Sequence, residues 1–198
     1  TGFRFANGGA QELFGVTPDI TTLGKGIANG YPISAVAGRA DVMKLMEEIF
    51  FSFTFGGETI SLAAAEATML KMKKLPVTKQ MTARGEELIR NVRKQITSFE
   101  LSDILAISGH PTWSFLTFKD SPNYSSWQIK TLFFQELFAR GFLSVGTHNL
   151  SFAHSEADVE ALRGAYEEIF PILGKGVREK NLEKLLKCAP LEPLFKVR

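Results

Sequence analysis

The stretch PDITTLGKGIANGYP, residues 18–32, joins a short β-capable run to a glycine-rich loop, and a second such run follows at residues 33–37. This pattern predicts a strand, a loop and a strand. Lys25 follows the first strand and lies between Gly24 and Gly26, where the backbone can approach a ligand closely. Few charges lie near it, so desolvation could lower its pKa and supply the neutral amine that imine formation requires. On these residues alone, an ordinary solvated lysine is the alternative.

The same glycines allow a second interpretation, a dinucleotide-binding turn. Gly24, Gly26 and Gly30 have the spacing Gly-x-Gly-x-x-x-Gly. Pro32 follows too soon for a helix to start at the last glycine and to face a pyrophosphate with its N-terminus. Lys25 is not followed by Ser or Thr, so the stretch is not a P-loop either. A nicotinamide-dependent oxidoreductase is therefore the weaker interpretation.

The rest of the chain alternates helical and extended patterns. The spacing of the apolar residues predicts helices over residues 41–49, 60–74, 78–96, 128–140 and 156–169, and strands over residues 112–118, 142–145 and 150–153. Pro171 is expected just beyond the end of the helix that begins at Glu156. Gly174 and Gly176 are expected to separate that helix from a terminal one.

Composition narrows the class of protein. The 198 residues are 44% hydrophobic and 22% charged, which is typical of a soluble globular chain with a buried core. Lys and Arg are spread along the chain and the net charge is only +2, so neither nucleic acid nor a membrane is an expected partner. Cys188 is the only cysteine, and no run is long and apolar enough to span a membrane. A cytoplasmic location is expected.

Four blocks of residues, taken in order, resemble the class III aminotransferases. They are Thr1-Gly-Phe-Arg4, Pro18-Asp19-Ile-Thr-Thr-Leu-Gly-Lys25, Gly30-Tyr-Pro32 and Ala37-Gly38-Arg39. Over residues 1–43 the chain is most similar to glutamate-1-semialdehyde aminomutases and their sugar-aminotransferase-like relatives. The resemblance implies an α/β fold of the fold-type-I transferases that use pyridoxal 5'-phosphate, with this chain as the C-terminal part. Residues 1–75 would form the rear of the large domain, and residues 76–198, from Pro76 onward, a small α+β domain.

The resemblance also assigns the site residues. Lys25 matches the lysine that carries the cofactor as a Schiff base and moves a proton between substrate and cofactor. Thr54, within Phe53-Thr54-Phe55-Gly56-Gly57-Glu58, matches a threonine whose hydroxyl binds the cofactor phosphate from the neighbouring subunit. Such a loop implies a homodimer with shared active sites. The implied reaction transfers an amino group from a small-molecule amino donor to a carbonyl acceptor.

The three histidines carry weaker predictions. His110, His148 and His154 lie on separate elements with no close acidic partner, so no metal site is predicted. His154 resembles the family's Ala-His block before the last helix, and we expect it to organise a turn rather than to contact substrate. His148 and Asn149 are the weaker candidates for the mouth of a substrate site.

Two departures from the family pattern bear on the activity. The aspartate that pairs with the pyridine nitrogen and the Gly-Ser phosphate loop precede Thr1 in the family, so the 198 residues alone are expected to be an incomplete, inactive fragment. Val145-Gly146-Thr147-His148-Asn149 stands where aminomutases carry a Pro-Ser-x-Phe-Glu block, so the acidic residue is missing. An intermolecular aminotransferase is therefore favoured. The alternatives are an intramolecular aminomutase of the glutamate-1-semialdehyde type and a non-catalytic scaffold that retains the fold.

Overall fold

The computed structural model describes residues 1–193, which form two compact units. The first unit covers Thr1–Thr82 and the second begins at Ala83, within a helix that starts just after Pro76. The assignment of these parts to a large and a small domain of a longer protein stays a prediction.

The first unit contains a β-hairpin and one long helix. Its elements are α1 (Ala10–Phe14), β1 (Ile20–Leu23), β2 (Ala35–Gly38), α2 (Ala40–Met43), α3 (Thr59–Lys74) and single 3-10 turns at Gly2–Arg4, Lys25–Ala28 and Lys44–Glu47. β1 and β2 pair antiparallel, as the strand, loop and strand pattern predicts. The helix predicted over residues 41–49 is instead split between α2 and the 3-10 turn that follows it.

The core of the first unit is small, and much of its apolar surface is exposed. Ile27, Ala28 and Ala65 are buried, and partly buried neighbours such as Phe3 and Leu23 pack against them. The exposed large apolar side chains include Phe14, Tyr31, Leu45, Ile49, Phe50, Phe51, Phe53, Phe55 and Ile60. Large exposed apolar surfaces are typical of sites that contact other protein.

The second unit combines a three-stranded antiparallel sheet with three long helices. Its elements are α4 (Val77–Ser98), which begins in the first unit, β3 (Leu105–His110), β4 (Trp113–Phe118), α5 (Ser126–Ala139), β5 (Thr147–Asn149), α6 (Glu156–Arg178) and α7 (Leu182–Leu185). The strand order is β3-β4-β5. Phe133, Tyr166 and Phe170 lie at the centre of one continuous core, with ring centroids 5.6 Å apart in the first pair and 5.3 Å apart in the second. The large apolar residues of this unit are mainly buried, but Trp127, Phe138, Leu143 and Val145 are exposed.

The sheet corrects the predicted strands over residues 142–145 and 150–153. Both stretches are irregular, and β5 lies between them. The strand forms at residues 147–149 because these residues pair with β4, where His148 lies opposite the buried Ser114. β3 was not predicted; its apolar alternation ends at Ile107, and the remainder is held in the sheet by pairing with β4.

Helix α6 shows that the predicted end at Ile169 is wrong. The helix begins at Glu156 as predicted, but it runs on through Pro171 and through both later glycines to Arg178. An interior proline costs a helix about 3 kcal/mol because it removes a hydrogen bond. Phe170 and Leu173 are completely buried on either side of Pro171, so packing outweighs this cost. Among residues 1–193, none of the helices is long and apolar enough to cross a membrane.

Candidate functional site

The loop that carries Lys25 is closed at its base by an ion pair and a close backbone contact. The guanidinium of Arg39 donates hydrogen bonds to Asp41 at 2.6 Å and to Asp19 at 3.0 Å, and these bonds raise the pKa of Arg39. The backbone N–H of Arg39 also donates to the carbonyl of Asp19. Gly38 permits this approach, since a Cβ there would lie 2.4 Å from the carbonyl oxygen of Asp19. The blocks around Asp19 and Arg39 therefore include residues that hold the hairpin.

Sequence reasoning missed this structural role. In the sequence, Asp19 and Arg39 stand out only as parts of the family blocks. Opposite charges flanking two strands of equal length were the available signal, because antiparallel pairing brings such positions together.

Lys25 is an exposed lysine on an anchored turn. It is the first residue of the 3-10 turn Lys25–Ala28, and its φ is 47°. Ile27 and Ala28 are only 6% and 1% exposed, so the turn is fixed on the small core while the lysine side chain remains accessible. Non-glycine residues with positive φ are uncommon, and they cluster at functional sites, where the strain is maintained by the surrounding structure. The backbone conformation at Lys25 thus supports a functional hypothesis.

Thr54 lies in the turn between the exposed phenylalanines and α3. Its side chain is exposed. The turn ends at Glu58, whose carboxylate accepts hydrogen bonds from the backbone N–H groups of Ser61 at 2.7 Å and Ile60 at 2.9 Å. Hydrogen bonds from Ser61 and Ile60 lower the pKa of Glu58, so this N-cap is ionised at neutral pH. The cap fixes the point at which the loop enters α3.

The two predicted site residues fit the cofactor that the resemblance implies. Lys25 offers an accessible amine, and a Cβ added at its neighbour Gly26 would meet nothing within 4 Å. Thr54 offers a hydroxyl, which suits a phosphate oxygen. Among residues 1–193, no group of three or more His, Cys, Asp or Glu side chains could hold a metal ion.

His148 forms a buried polar chain in the second unit. Its Nδ1 is 2.8 Å from the hydroxyl of Ser114, and its Nε2 is 2.8 Å from the hydroxyl of Tyr166. Burial lowers the pKa of His148 to about 4, so the ring is neutral at neutral pH. The partners of His148 come from β4 and α6, which no local pattern around residue 148 could reveal.

His154 organises the turn before α6, as predicted. Its Nδ1 accepts a hydrogen bond from the backbone N–H of Ser151 at 3.1 Å. Ser155 then caps the helix, since its hydroxyl accepts a hydrogen bond from the backbone N–H of Asp158 at 3.1 Å. This turn, α4, α6 and residues 142–145 and 147–150 line a partly open cavity of about 560 Å³ within the second unit.

Comparisons with known proteins identify the family of this chain. A model of the family described as aminotransferase class-III matches residues 1–110. The glutamate-1-semialdehyde 2,1-aminomutase of Rhodopirellula baltica is 36% identical over 146 residues, which are 72% of this chain and 32% of that protein. The 3-aminobutyryl-CoA aminotransferase of Cloacimonas acidaminovorans is 29% identical over 180 residues, covering 87% of this chain and 43% of that protein.

A solved structure shows the same fold. The FumI protein of Sphingopyxis sp. MTA144, in its PLP internal aldimine form, superposes with a TM-score of 0.78 and 26% identity over 93% of this chain and 44% of that one. The mixed α/β fold is therefore that of the fold-type-I transferases, as predicted. The chain belongs to the class III aminotransferase family. It spans about a third to two fifths of the length of these curated relatives.

Proposed function

We propose that the protein to which this chain belongs is a pyridoxal-phosphate-dependent aminotransferase that carries its cofactor on Lys25. The observation that carries the proposal is the lysine itself. It is accessible, it has a positive φ, and it stands on a turn whose next residues are buried. The family blocks around it close the base of the same hairpin.

The chemistry divides between the cofactor and the chain. Pyridoxal phosphate, when bound, supplies an electron sink for the substrate carbon. The Nζ of Lys25 would hold the cofactor covalently, and after displacement by the amino donor it would accept and return the substrate proton. The anchored turn limits the movement of the Lys25 backbone, which favours proton transfer at a defined position.

We also propose that the protein is a homodimer in which Thr54 binds the phosphate of the partner's cofactor. The phenylalanines that flank Thr54 support this part of the proposal, because Phe50, Phe53 and Phe55 are all more than half exposed. Aromatic side chains are enriched in protein interfaces. In such a dimer, the Thr54 hydroxyl would lie in the active site of the other subunit. We place the activity in the cytoplasm, since a single cysteine suits a reducing compartment.

Amino transfer between two molecules is the favoured reaction. Aminomutases carry an acidic residue in the block that corresponds to residues 145–149 here, and this chain has none in that block. The names of several relatives favour the alternative, an intramolecular aminomutase. Product analysis with and without an external amino donor separates the two reactions. A non-catalytic scaffold would give no product in either case.

Cofactor labelling tests the role of Lys25. The full-length protein is incubated with pyridoxal phosphate, reduced with borohydride and mapped by peptide mass spectrometry. We expect the label on Lys25 and its loss in Lys25→Ala. Lys44→Ala is the matched control, because Lys44 is also exposed and lies in another 3-10 turn of the same unit. A label on another lysine, or one that persists in Lys25→Ala, would contradict the proposal.

Hybrid dimers test the role of Thr54. Subunits carrying Lys25→Ala are mixed with subunits carrying Thr54→Val, and each variant alone is inactive or strongly impaired. If Thr54 acts across the interface, one site of the hybrid contains both defects and the other contains none, so activity returns. If Thr54 acts within its own subunit, every site contains one defect and mixing restores nothing.

A further inference from the structure

The strand β5 is a three-residue edge strand that borders the partly open cavity of the second unit. Within residues 1–193 it pairs with β4 alone. Successive side chains of a strand point to opposite faces of the sheet. The side-chain amide of Asn149 donates a hydrogen bond to the hydroxyl of Thr147 at 3.2 Å, so these two side chains share one face. His148 lies on the other face, where it is only 5% exposed.

The side chain of His148 ties this short strand to two other elements. Its Nδ1 is 2.8 Å from the hydroxyl of Ser114 on β4, and its Nε2 is 2.8 Å from the hydroxyl of Tyr166 on α6. Ser114 and Tyr166 are 0% and 1% exposed, so water does not compete for these bonds. Breaking either bond would leave a buried polar group without a partner, which is costly. The strand is therefore held more firmly than three residues of backbone pairing alone would hold it.

The core of the second unit determines where His148 is held. The ring of Tyr166 stacks on that of Phe170, with centroids 5.3 Å and planes 9° apart, and it also contacts Phe133. Bonds at both ring nitrogens tie His148 to β4 and to α6 at the same time. The backbone of His148 cannot shift along β4 without breaking one of them. The positions of its neighbours Thr147 and Asn149 are therefore set by the core.

Thr147 and Asn149 line the cavity, whose volume of about 560 Å³ suits a small molecule. They also belong to the block of residues 145–149 in which aminomutases carry an acidic residue. We propose that Ser114 and Tyr166 are positioning residues, which act through His148 to hold Thr147 and Asn149 in contact with the substrate. The inference rests on the proposed function, because that function places the choice of reaction in this block.

Steady-state kinetics of the full-length protein test the positioning role. The substrates are L-glutamate with pyruvate, β-alanine with pyruvate, L-alanine with 2-oxoglutarate, and glutamate 1-semialdehyde alone. Tyr166→Phe removes one hydroxyl, whereas the ring keeps its contacts with Phe133 and Phe170. KM should rise about tenfold and kcat should change less than about twofold, because substrate binding is weakened while Lys25 is undisturbed. Ser114→Ala should give the same pattern.

Tyr124→Phe is the matched control. It removes the hydroxyl of another buried tyrosine of the second unit, one that is not bonded to His148, so KM should stay within about twofold of the wild-type value. A double-mutant cycle shows whether Tyr166 acts through His148. Once His148→Asn has removed the ring, the addition of Tyr166→Phe should raise KM no further.

Three results would overturn the inference while the proposed function stands. They are a KM in Tyr166→Phe equal to that in Tyr124→Phe, a fall in kcat with KM unchanged, and additive effects of Tyr166→Phe and His148→Asn. Failure of the proposed function is distinguished in the wild type, which would then show neither turnover nor a borohydride-reducible label on Lys25. The inference would fall with it.

Discussion

Replacement of Gly38 by alanine tests whether a close backbone contact holds the hairpin that carries Lys25. The new methyl carbon would lie 2.4 Å from the carbonyl oxygen of Asp19 and 3.2 Å from the Cα of Ile20. Both are backbone atoms that cannot rotate away, so the strands must separate. Overpacking of this kind costs about 1–3 kcal/mol. The lower entropy of alanine in the unfolded chain offsets roughly 0.4–1 kcal/mol of that cost.

The net effect should be a hairpin destabilised by about 1–2 kcal/mol, which corresponds to a factor of about 5–30 in its opening equilibrium. Hydrogen–deuterium exchange of peptides that cover residues 18–39 measures this opening directly. Exchange should accelerate by that factor in Gly38→Ala, with little change in peptides from the second unit.

Gly26→Ala is the matched control for this experiment. It adds the same methyl group to the same hairpin, and an added Cβ there meets nothing within 4 Å. Exchange of residues 18–39 should therefore stay unchanged or slow slightly. If Gly38→Ala and Gly26→Ala exchange at the same rate, the contact between Gly38 and Asp19 does not hold the loop, and the reasoning is refuted.

Two further predictions concern the second unit. Burial lowers the pKa of His148 from the ordinary value of 6.5 to about 4. Between pH 4 and pH 6.5, the unfolded chain therefore binds a proton that the folded chain does not. Stability should therefore be fully present above pH 6.5 and fall by roughly 3 kcal/mol as the pH drops towards 4, a loss that urea unfolding of His148→Asn should not show. Gln135→Ala removes a hydrogen bond of 2.6 Å that the backbone N–H of Lys187 donates to the side chain of Gln135. The free energy of local opening at residues 185–187 should therefore fall by about 1–2 kcal/mol, and hydrogen–deuterium exchange there should accelerate. Gln128→Ala loses a contact of 3.3 Å with Glu183 and the capping-box bonds to Ser125 at the start of α5, but no bond to residues 185–187, so it should change exchange there less.

The local parts of the fold could be predicted from the sequence because their causes are local. Two short runs separated by glycines sufficed to predict two strands joined by a loop. The role proposed for Lys25 came from the resemblance, since the residues alone left a solvated lysine open. Helix α6 begins at Glu156 as predicted, and the capping box of Ser155 and Asp158 that opens it needs only residues three positions apart.

The rest of the fold depends on contacts between distant residues. Ser114 and His148 are 34 positions apart, and only the register of β4 against β5 brings them together. The same pairing places β5 between two stretches that were predicted to be strands. Pro171 indicated a helix end, yet the buried Phe170 and Leu173 keep the segment helical. The competing energies, a proline penalty and the burial of two large side chains, cannot be compared until the partners of those side chains are known.

The two units differ in how completely they bury their apolar residues, and this difference bears on where the chemistry is assembled. The second unit buries Phe133, Tyr166 and Phe170 in a continuous core. The first unit fixes the turn of Lys25 through Ile27 and Ala28 but leaves a large set of apolar side chains exposed. The lysine is therefore positioned by contacts within the chain, whereas the surroundings that would exclude water from it are not made by the first unit alone. Relatives that are more than twice as long have further chain that could supply them. If Lys25 carries the cofactor as proposed, loss of the hairpin contact at Gly38 should impair cofactor binding even in a protein whose further chain covers the apolar surface.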